Sequence, residues 1–320
     1  MKLGICVPAL GPHVNRKAVR EFAIKAEDLG YDSLWVQEHF MWRENPETGY
    51  AGMPGRPMPV PYKSLLQPLE LLSFCAAVTD RVQLGTSILV TAYHRPLMLA
   101  RRLATLDVLS GGRAIAGLGL GWMAEEYRHM DTPFEKRGPR MTDFVKALLA
   151  AWQPDPVEYQ GPYFNFPNCE SSPKPLQRDE HGNPIVPIIT GGGNPKSLER
   201  CAKYAHGWNP AGLPASMVPA ISEKLHEMAR GFGRDVKLPT YLRVFNNPTM
   251  PGIPPWDGGP FGAISWHGDI DAQKAKLQEC KDAGIDHVIL ETNFWEPCPS
   301  PEHWLEQVEW FAPLVELAHR

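Results

Sequence analysis

Three short stretches of the chain carry side chains whose type and spacing suit chemistry. In Gln37-Glu-His-Phe-Met-Trp42, His39 can donate or accept a proton near neutral pH, because an unperturbed imidazole titrates at about 6.5. The same histidine reads equally as an anchor for the long loop that follows, and Glu38 as its partner or as a loop cap. Gly117-Leu-Gly-Leu-Gly-Trp122 lacks the G-x-x-G spacing of a dinucleotide fingerprint. Its alternate glycines suit either the close approach of a flat ligand or tight packing, with Trp122 as a lid on the core. In Thr190-Gly-Gly-Gly-Asn-Pro-Lys-Ser197, glycine N–H groups ahead of a helix, with Lys196 and Ser197, make a phosphate cradle. It is not a Walker loop, whose spacing is missing.

Other chemistries lack their parts. The 11 histidines form no H-E-x-x-H pair, the cysteine and histidine spacings suit no zinc site, and no G-x-S-x-G elbow is present. No metal is therefore expected. Aromatic residues, Trp42, Tyr93, Trp122, Trp208, Trp266 and Trp295, crowd the ends of the expected strands, which suits a planar cofactor or an apolar substrate and serves packing equally well. With 32 Lys+Arg against 36 Asp+Glu the net charge is −4, which argues against a nucleic-acid binder. The six cysteines are scattered without a C-x-x-C and read as reduced thiols of a soluble, cytoplasmic protein. No run approaches the ~18 apolar residues of a membrane span, and the apolar start, interrupted by Gly4 and Pro8, reads as a buried strand rather than a signal peptide.

A scaffold must bring these stretches together. Strand-like runs at Leu3 to Val7, Tyr31 to Val36, Val82 to Leu89, Arg113 to Leu118, Ile185 to Thr190, Gly207 to Asn209, Tyr241 to Phe245 and Val288 to Leu290 alternate with helical patterns. The helices fall at 18–29, 65–78, 96–109, 123–152 with a break near Pro133 to Pro139, 197–205, 215–232, 271–283 and 302–317. Eight strands alternating with eight helices predict a single α/β domain over 1–320, a (β/α)8 TIM barrel with long insertions after strands 2, 4 and 7. The insertions are Met41 to Tyr62, Gln153 to Pro184 with its 7 prolines, and Asn246 to His267. In such a barrel the three stretches, after strands 2, 4 and 5, ring one face.

Several stretches taken together resemble one family. They are Gly30-Tyr-Asp-Ser-Leu-Trp-Val-Gln-Glu-His39, Arg81-Val-Gln-Leu-Gly-Thr-Ser-Ile88, Leu103 to Arg113, Gly117 to Trp122 with Glu125-Glu126, Phe134 to Arg140, and Gly191-Gly-Gly-Asn-Pro through Gly207-Trp208. Their combination and order are similar to the bacterial luciferase-like superfamily of barrel flavoenzymes, most of all its coenzyme F420-dependent oxidoreductases. The resemblance implies a deazaflavin F420, or alternatively FMN, at the C-terminal face of the strands. It implies a non-prolyl cis peptide at Ser87-Ile88 behind the ring, His39 at the ring's reactive edge, and Gly119, Gly121 and Trp122 at the cofactor. It further assigns Gly191, Gly192 and Gly193 to the phosphate, and Trp208 to the next motif of the cofactor site. The superfamily's sugar-phosphate dehydrogenase has a catalytic glutamate where this chain has Trp122, so a more apolar or planar substrate is expected. The implied reaction is hydride transfer between F420 and a carbonyl, imine or activated alkene, with His39 moving the proton. Two alternatives stand beside it: a monooxygenase using reduced FMN and O2 with a separate reductase as partner, and a non-catalytic ligand-binding barrel. A homo-oligomer is expected.

Overall fold

A computed structural model describes residues 1–251, 262, 264–293 and 300–320. Strand β1 (Lys2–Cys6) leads to helix α1 (Arg16–Asp28), which begins where Asn15 Oδ1 accepts the Ala18 N–H at 3.0 Å. Ala18, Phe22 and Ala26 then fall on its buried stripe. The chain continues through β2 (Ser33–Val36), α2 (Pro68–Ala76), β3 (Gln83–Thr86), β4 (Leu89–Val90), α3 (Pro96–Leu109) and β5 (Ala114–Gly119). Then come α4 (Ala124–His129), α5 (Arg137–Trp152), a hairpin of β6 (Val157–Gln160) and β7 (Asn165–Cys169), β8 (Ile188–Thr190), α6 (Pro195–Tyr204) and β9 (Gly207–Trp208). The last elements are α7 (Val218–Gly231), β10 (Tyr241–Pro248), β11 (Ser265–Gly268), α8 (Ile270–Asp282), β12 (His287–Glu291), α9 (Pro301–Trp310) and α10 (Ala312–His319).

Apart from that hairpin, the described strands form one curled parallel sheet in the order β11-β10-β12-β1-β2-β3-β5-β8-β9, with β4 beside β5. Parallel bridges from Trp208 to Thr240 and from Ala211 to Arg243 connect the far end of that order back to β10. Inside the curl, Trp35 packs with Cys6, Ile115, Ile189 and Ile289. Its indole fits because Gly4 and Gly85 face it, where a Cβ would stand 2.4 Å and 2.3 Å from its ring atoms. The Trp35 Nε1–H donates to Ser33 Oγ at 2.6 Å, and Ser33 Oγ lies 2.7 Å from His287 Nε2.

Some expected elements differ in ways that matter. The third strand is broken: β3 and β4 are separated by a cis peptide at Ser87-Ile88, as the resemblance implied. The C-terminal helix is two helices, because Pro313 lacks the N–H that would continue α9 through Phe311. The stretch 153–187 leads from α5 into β8 and so belongs to the N-terminal ends of the strands. Of the expected insertion Asn246 to His267, 246–248 extend β10, 265–267 enter β11, and 252–261 and 263 lie outside the described residues. Among the described residues no helix is long and apolar enough to cross a membrane.

Two histidines, His287 buried and His206 half-buried, tie stability to pH. Burial pushes His287 down to about 3 and, with Arg234 adding to the effect, His206 down to about 4. Folded, both stay neutral where the unfolded chain takes up protons, so their contribution is complete above about pH 6.5 and is lost as pH falls toward 4. Each should lower stability by up to about 1.4 kcal/mol per pH unit in that window. Urea unfolding at pH 7, 6 and 5 checks this, and His206→Asn should flatten the slope.

Candidate active site

The C-terminal ends of the strands surround a cavity of about 480 Å³. One wall is built from the broken third strand. Gly117 and Gly119 of β5 lie so close to it that a Cβ at Gly117 would stand 1.8 Å from the Thr86 carbonyl oxygen, and one at Gly119 2.7 Å from the Ile88 side chain. Gly121, at φ +70°, faces Val90 in the same way at 2.7 Å. The alternate glycines therefore admit the neighbouring strand, and the wall they allow consists of Ser87, Ile88, Val90 and Gly121.

β2 ends at Val36 and delivers the next three residues to the cavity. His39 Nδ1 lies 2.9 Å from Glu126 Oε2, and its ring packs on Tyr62 and Trp122 at centroid distances of 5.4 and 5.2 Å. Glu126 is fully buried in α4. Its Oε1 accepts the N–H groups of Phe40 at 2.9 Å and Met41 at 3.2 Å, and the Tyr93 hydroxyl donates to Oε2. Burial works against its charge, yet the hydrogen bonds from His39, Tyr93 and Phe40 more than offset this and hold the carboxyl below the usual carboxylate range. An ionised carboxylate only accepts, so His39 Nδ1 carries a hydrogen. Nε2 is left without a partner among the described residues.

The neighbouring glutamates do other work. Glu38 turns from His39 to accept the Val90 N–H at 2.7 Å and to meet His94 Nε2 at 3.0 Å, pinning β4. Glu125 accepts the Glu47 N–H at 2.9 Å and meets Arg43 at 3.2 Å, which holds the loop after β2 on α4. At the cavity wall, Arg243 of β10 donates to the Ser87 carbonyl oxygen, to Gln37 Oε1 and to Glu291. Burial opposes its charge, but Glu291 outweighs this and holds the guanidinium protonated. Ser87 Oγ donates to Asn209 Oδ1 at 2.8 Å, so both faces of the Ser87 residue are tied.

The glycine run after β8 stands apart from the cavity lining. Asn194 caps α6 by accepting the Ser197 N–H at 3.0 Å, and Trp208, 1 % exposed, sits in the core and donates its indole N–H to the Gly192 carbonyl oxygen at 3.0 Å. On α6 and α5, Arg200 reaches the Gly138 carbonyl oxygen at 3.4 Å, while Arg140 lies 4.6 Å over the Phe164 ring. Burial first, then the nearby Arg95, hold Arg140 below the ordinary arginine range. The buried Nε atoms of Arg140 and Arg200 have no acceptor, and Arg95, Arg140 and Arg200 form no ion pair, among the described residues. No group of three metal-ligating side chains occurs among them either.

The family model for luciferase-like monooxygenases matches residues 1–250. The chain belongs to that family. It is 32 % identical over 190 residues to an F420-dependent glucose-6-phosphate dehydrogenase of Amycolatopsis mediterranei, covering 58 % of this chain and 49 % of that one. An uncharacterized protein of Mycobacterium tuberculosis is 31 % identical over 189 residues, covering 57 % of this chain and 64 % of its own. The chain thus spans half to two thirds of the length of these relatives. In fold it superposes on the monooxygenase RslO1 of Streptomyces bottropensis with a TM-score of 0.77 at 19 % identity, covering all of both chains. An F420-dependent secondary alcohol dehydrogenase, solved with an F420-acetone adduct, gives 0.74 at 18 % identity over 99 % of each chain.

Of the residues that the sequence pointed to in this luciferase-like chain, His39, Ser87, Ile88, Gly121 and Trp122 line one cavity. Gly119 lies behind Ile88, the run Gly191 to Gly193 leads into α6, and Trp208 belongs to the core. Among the aromatics, Trp42 donates to the Pro59 carbonyl oxygen at 3.0 Å, Tyr93 serves Glu126, Trp266 packs in the main core, and Trp295 lies outside the described residues. Sequence reasoning missed Arg243, Gln37 and Tyr62. A charged residue in the apolar run Tyr241 to Phe245 was the available signal for the first.

Because Gly117 faces backbone, Gly117→Ala should cost about 3 kcal/mol of stability or fail to fold. Gly193→Ala, with nothing within 4 Å of its Cβ position, should change stability by less than about 0.5 kcal/mol. Denaturant unfolding of the two variants checks the contrast.

Proposed function

We propose that this protein transfers a hydride between coenzyme F420 and a small organic carbonyl, imine or activated alkene. The observation that carries the proposal is His39, whose Nδ1 is held by a buried carboxylate at the wall of a 480 Å³ cavity, leaving Nε2 as a proton donor or acceptor. Relatives with F420-dependent dehydrogenase activity in their names support the cofactor. The chain's own residues fit it: the cavity lies within the range of about 300–1,000 Å³ usual for such ligands. Its Ile88, Val90 and Gly121 wall offers an apolar support, and Arg200 of α6, the helix that follows the glycine run, has a buried Nε without an acceptor among the described residues, which suits an anionic tail. Gly191, Gly192 and Gly193 would contribute backbone N–H groups there.

We read the sheet as a closed (β/α)8 barrel in one domain. The parallel order of β1, β2, β3, β5, β8, β9, β10 and β12 and the bridges from β9 and its following turn to β10 support this.

When bound, F420 supplies two electrons as a hydride from its C5. In carbonyl reduction, His39 Nε2 gives its proton to the substrate oxygen as the C–O π bond opens; in alcohol oxidation it takes that proton. Arg243 holds Ser87 in place through the carbonyl oxygen, while Tyr50, Trp122 and Phe245 exclude water. With Trp122, Tyr50, Met53 and Phe245 on the walls, the substrate body is more apolar than a sugar phosphate.

Anaerobic titration with F420 and with FMN, followed by quenching of the ten tryptophans, tests the cofactor. F420 should bind at least tenfold more tightly; preference for FMN with oxygen uptake during turnover would move the assignment to a monooxygenase. His39→Ala should lower turnover by about 10²–10⁴-fold and leave the F420 dissociation constant within threefold.

A further inference from the structure

We propose that Glu126, tempered by Tyr93, is the positioning residue that decides which nitrogen of the neutral His39 ring carries the hydrogen and lets the ring hold a second proton. The proton step rests on the oxidoreductase reading above; the state of the ring does not.

The two oxygens of Glu126 have separate tasks. Oε1 takes the backbone N–H groups of Phe40 and Met41, which staples the start of the loop. Oε2 takes two side chains, His39 Nδ1 and the Tyr93 hydroxyl. A residue kept only to staple the loop would need Oε1 alone. A fully buried carboxylate with no arginine or lysine partner among the described residues is costly unless the groups around it need its charge. The group that gains is the imidazole.

The other charged or titratable groups around the ring do not substitute for it. Tyr62 packs edge-on and is bonded to Gln37 and Tyr50, Glu38 faces His94 and the Val90 N–H, and Arg243 faces Glu291. Trp122 is neutral, and Gln67 meets only the His39 carbonyl oxygen, at 3.1 Å. His129 lies against Phe40. Glu126 is therefore the anion in contact with His39. In carbonyl reduction the Nε2–H bond of the imidazolium breaks and an O–H bond forms on the substrate, whose carbon has received the hydride of the reduced deazaflavin. The ring returns to neutral with its Nδ1–H still on Glu126. Tyr93 draws on the same Oε2 and so weakens the hold of Glu126 on the ring.

The experiment uses the apo-protein labelled with 15N-histidine, the His39 signals being identified by their loss in His39→Gln. Wild type should show the Nδ1–H tautomer. In Glu126→Gln the amide oxygen must stay on Phe40 and Met41, so the NH2 faces Nδ1. His39 should then switch to the Nε2–H tautomer and its titration midpoint should fall by at least one pH unit. Tyr93→Phe should move the midpoint the other way, upward by a few tenths of a unit. In the F420-loaded enzyme, Glu126→Gln should lower kcat for carbonyl reduction 10- to 100-fold, with KM within threefold and the alkaline limb of the kcat profile displaced downward. An unchanged tautomer and midpoint in folded Glu126→Gln overturn the proposal. If that variant does not fold, Tyr93→Phe decides: a rise supports the proposal, and no change or a fall overturns it. A tautomer switch in a protein that turns over no F420 substrate would sink the functional reading and leave this one standing.

Discussion

The cavity exists because two neighbouring strands approach more closely than side chains allow. At Gly117 the partner is the Thr86 carbonyl oxygen itself, and at Gly119 and Gly121 it is the side chains of Ile88 and Val90. Without Cβ atoms on β5, the third strand can break at Ser87-Ile88 and resume as β4, turning Ile88 and Val90 toward the open end. The rest of the site is arranged around that break. Arg243 and Asn209 hold Ser87 by its carbonyl and hydroxyl, and Glu38 holds Val90 by its N–H. Close packing of this kind tolerates few changes, since interiors relax only partly around an added methyl.

Buried carboxylates recur as the device that fixes irregular backbone. Glu27 accepts the N–H groups of Asp80, Arg81 and Val82 ahead of β3, Asp107 those of Leu176 and Gln177, and Asp143 those of Tyr163 and Phe164. Each satisfies several donors that a turn would otherwise leave unpaired in the interior. Glu38 and Glu125 act similarly at the site. Glu38 and Glu126 each also face a histidine, His94 and His39, and of these two only His39 lines the cavity.

Much of the scaffold was legible because each strand is a short apolar run between turn residues, and each helix carries an apolar stripe. The curled order follows from that alternation. The break in the third strand was not legible from Val82 to Leu89 read alone, since Gly85, Thr86 and Ser87 fit an unbroken strand as well as a broken one; the family resemblance supplied it. At Gly117 to Gly121 the pattern could not tell whether a ligand or a strand comes close, because both require the same missing Cβ. Trp208 shows the related limit for direction: an aromatic at a strand end can point to the cavity or to the core, and this one points to the core. Glu126 stands 87 positions from His39, and no local spacing predicts a contact that only the folding of β2 and α4 onto one another creates.

Arg243 with Glu291, His94 with Glu38 and His39 with Glu126 keep charges of the site in separate pairs, and that separation has a consequence. Arg243, on the cavity wall, and Glu291 neutralise each other, with Gln37 and Asn293 completing their hydrogen bonds, so this pair adds rigidity without net charge. His39 and Glu126 form another pair, in which hydrogen bonds hold the carboxyl below the usual carboxylate range. A proton arriving at Nε2 therefore converts a net negative pair into a neutral one, inside a region where water screens little. The same proton on an isolated buried imidazole would create an unpaired charge. The arrangement thus favours a histidine that alternates between two protonation states over one that remains fixed in either. That is the property a proton donor and acceptor beside a hydride-transfer centre requires, and a loop anchor does not.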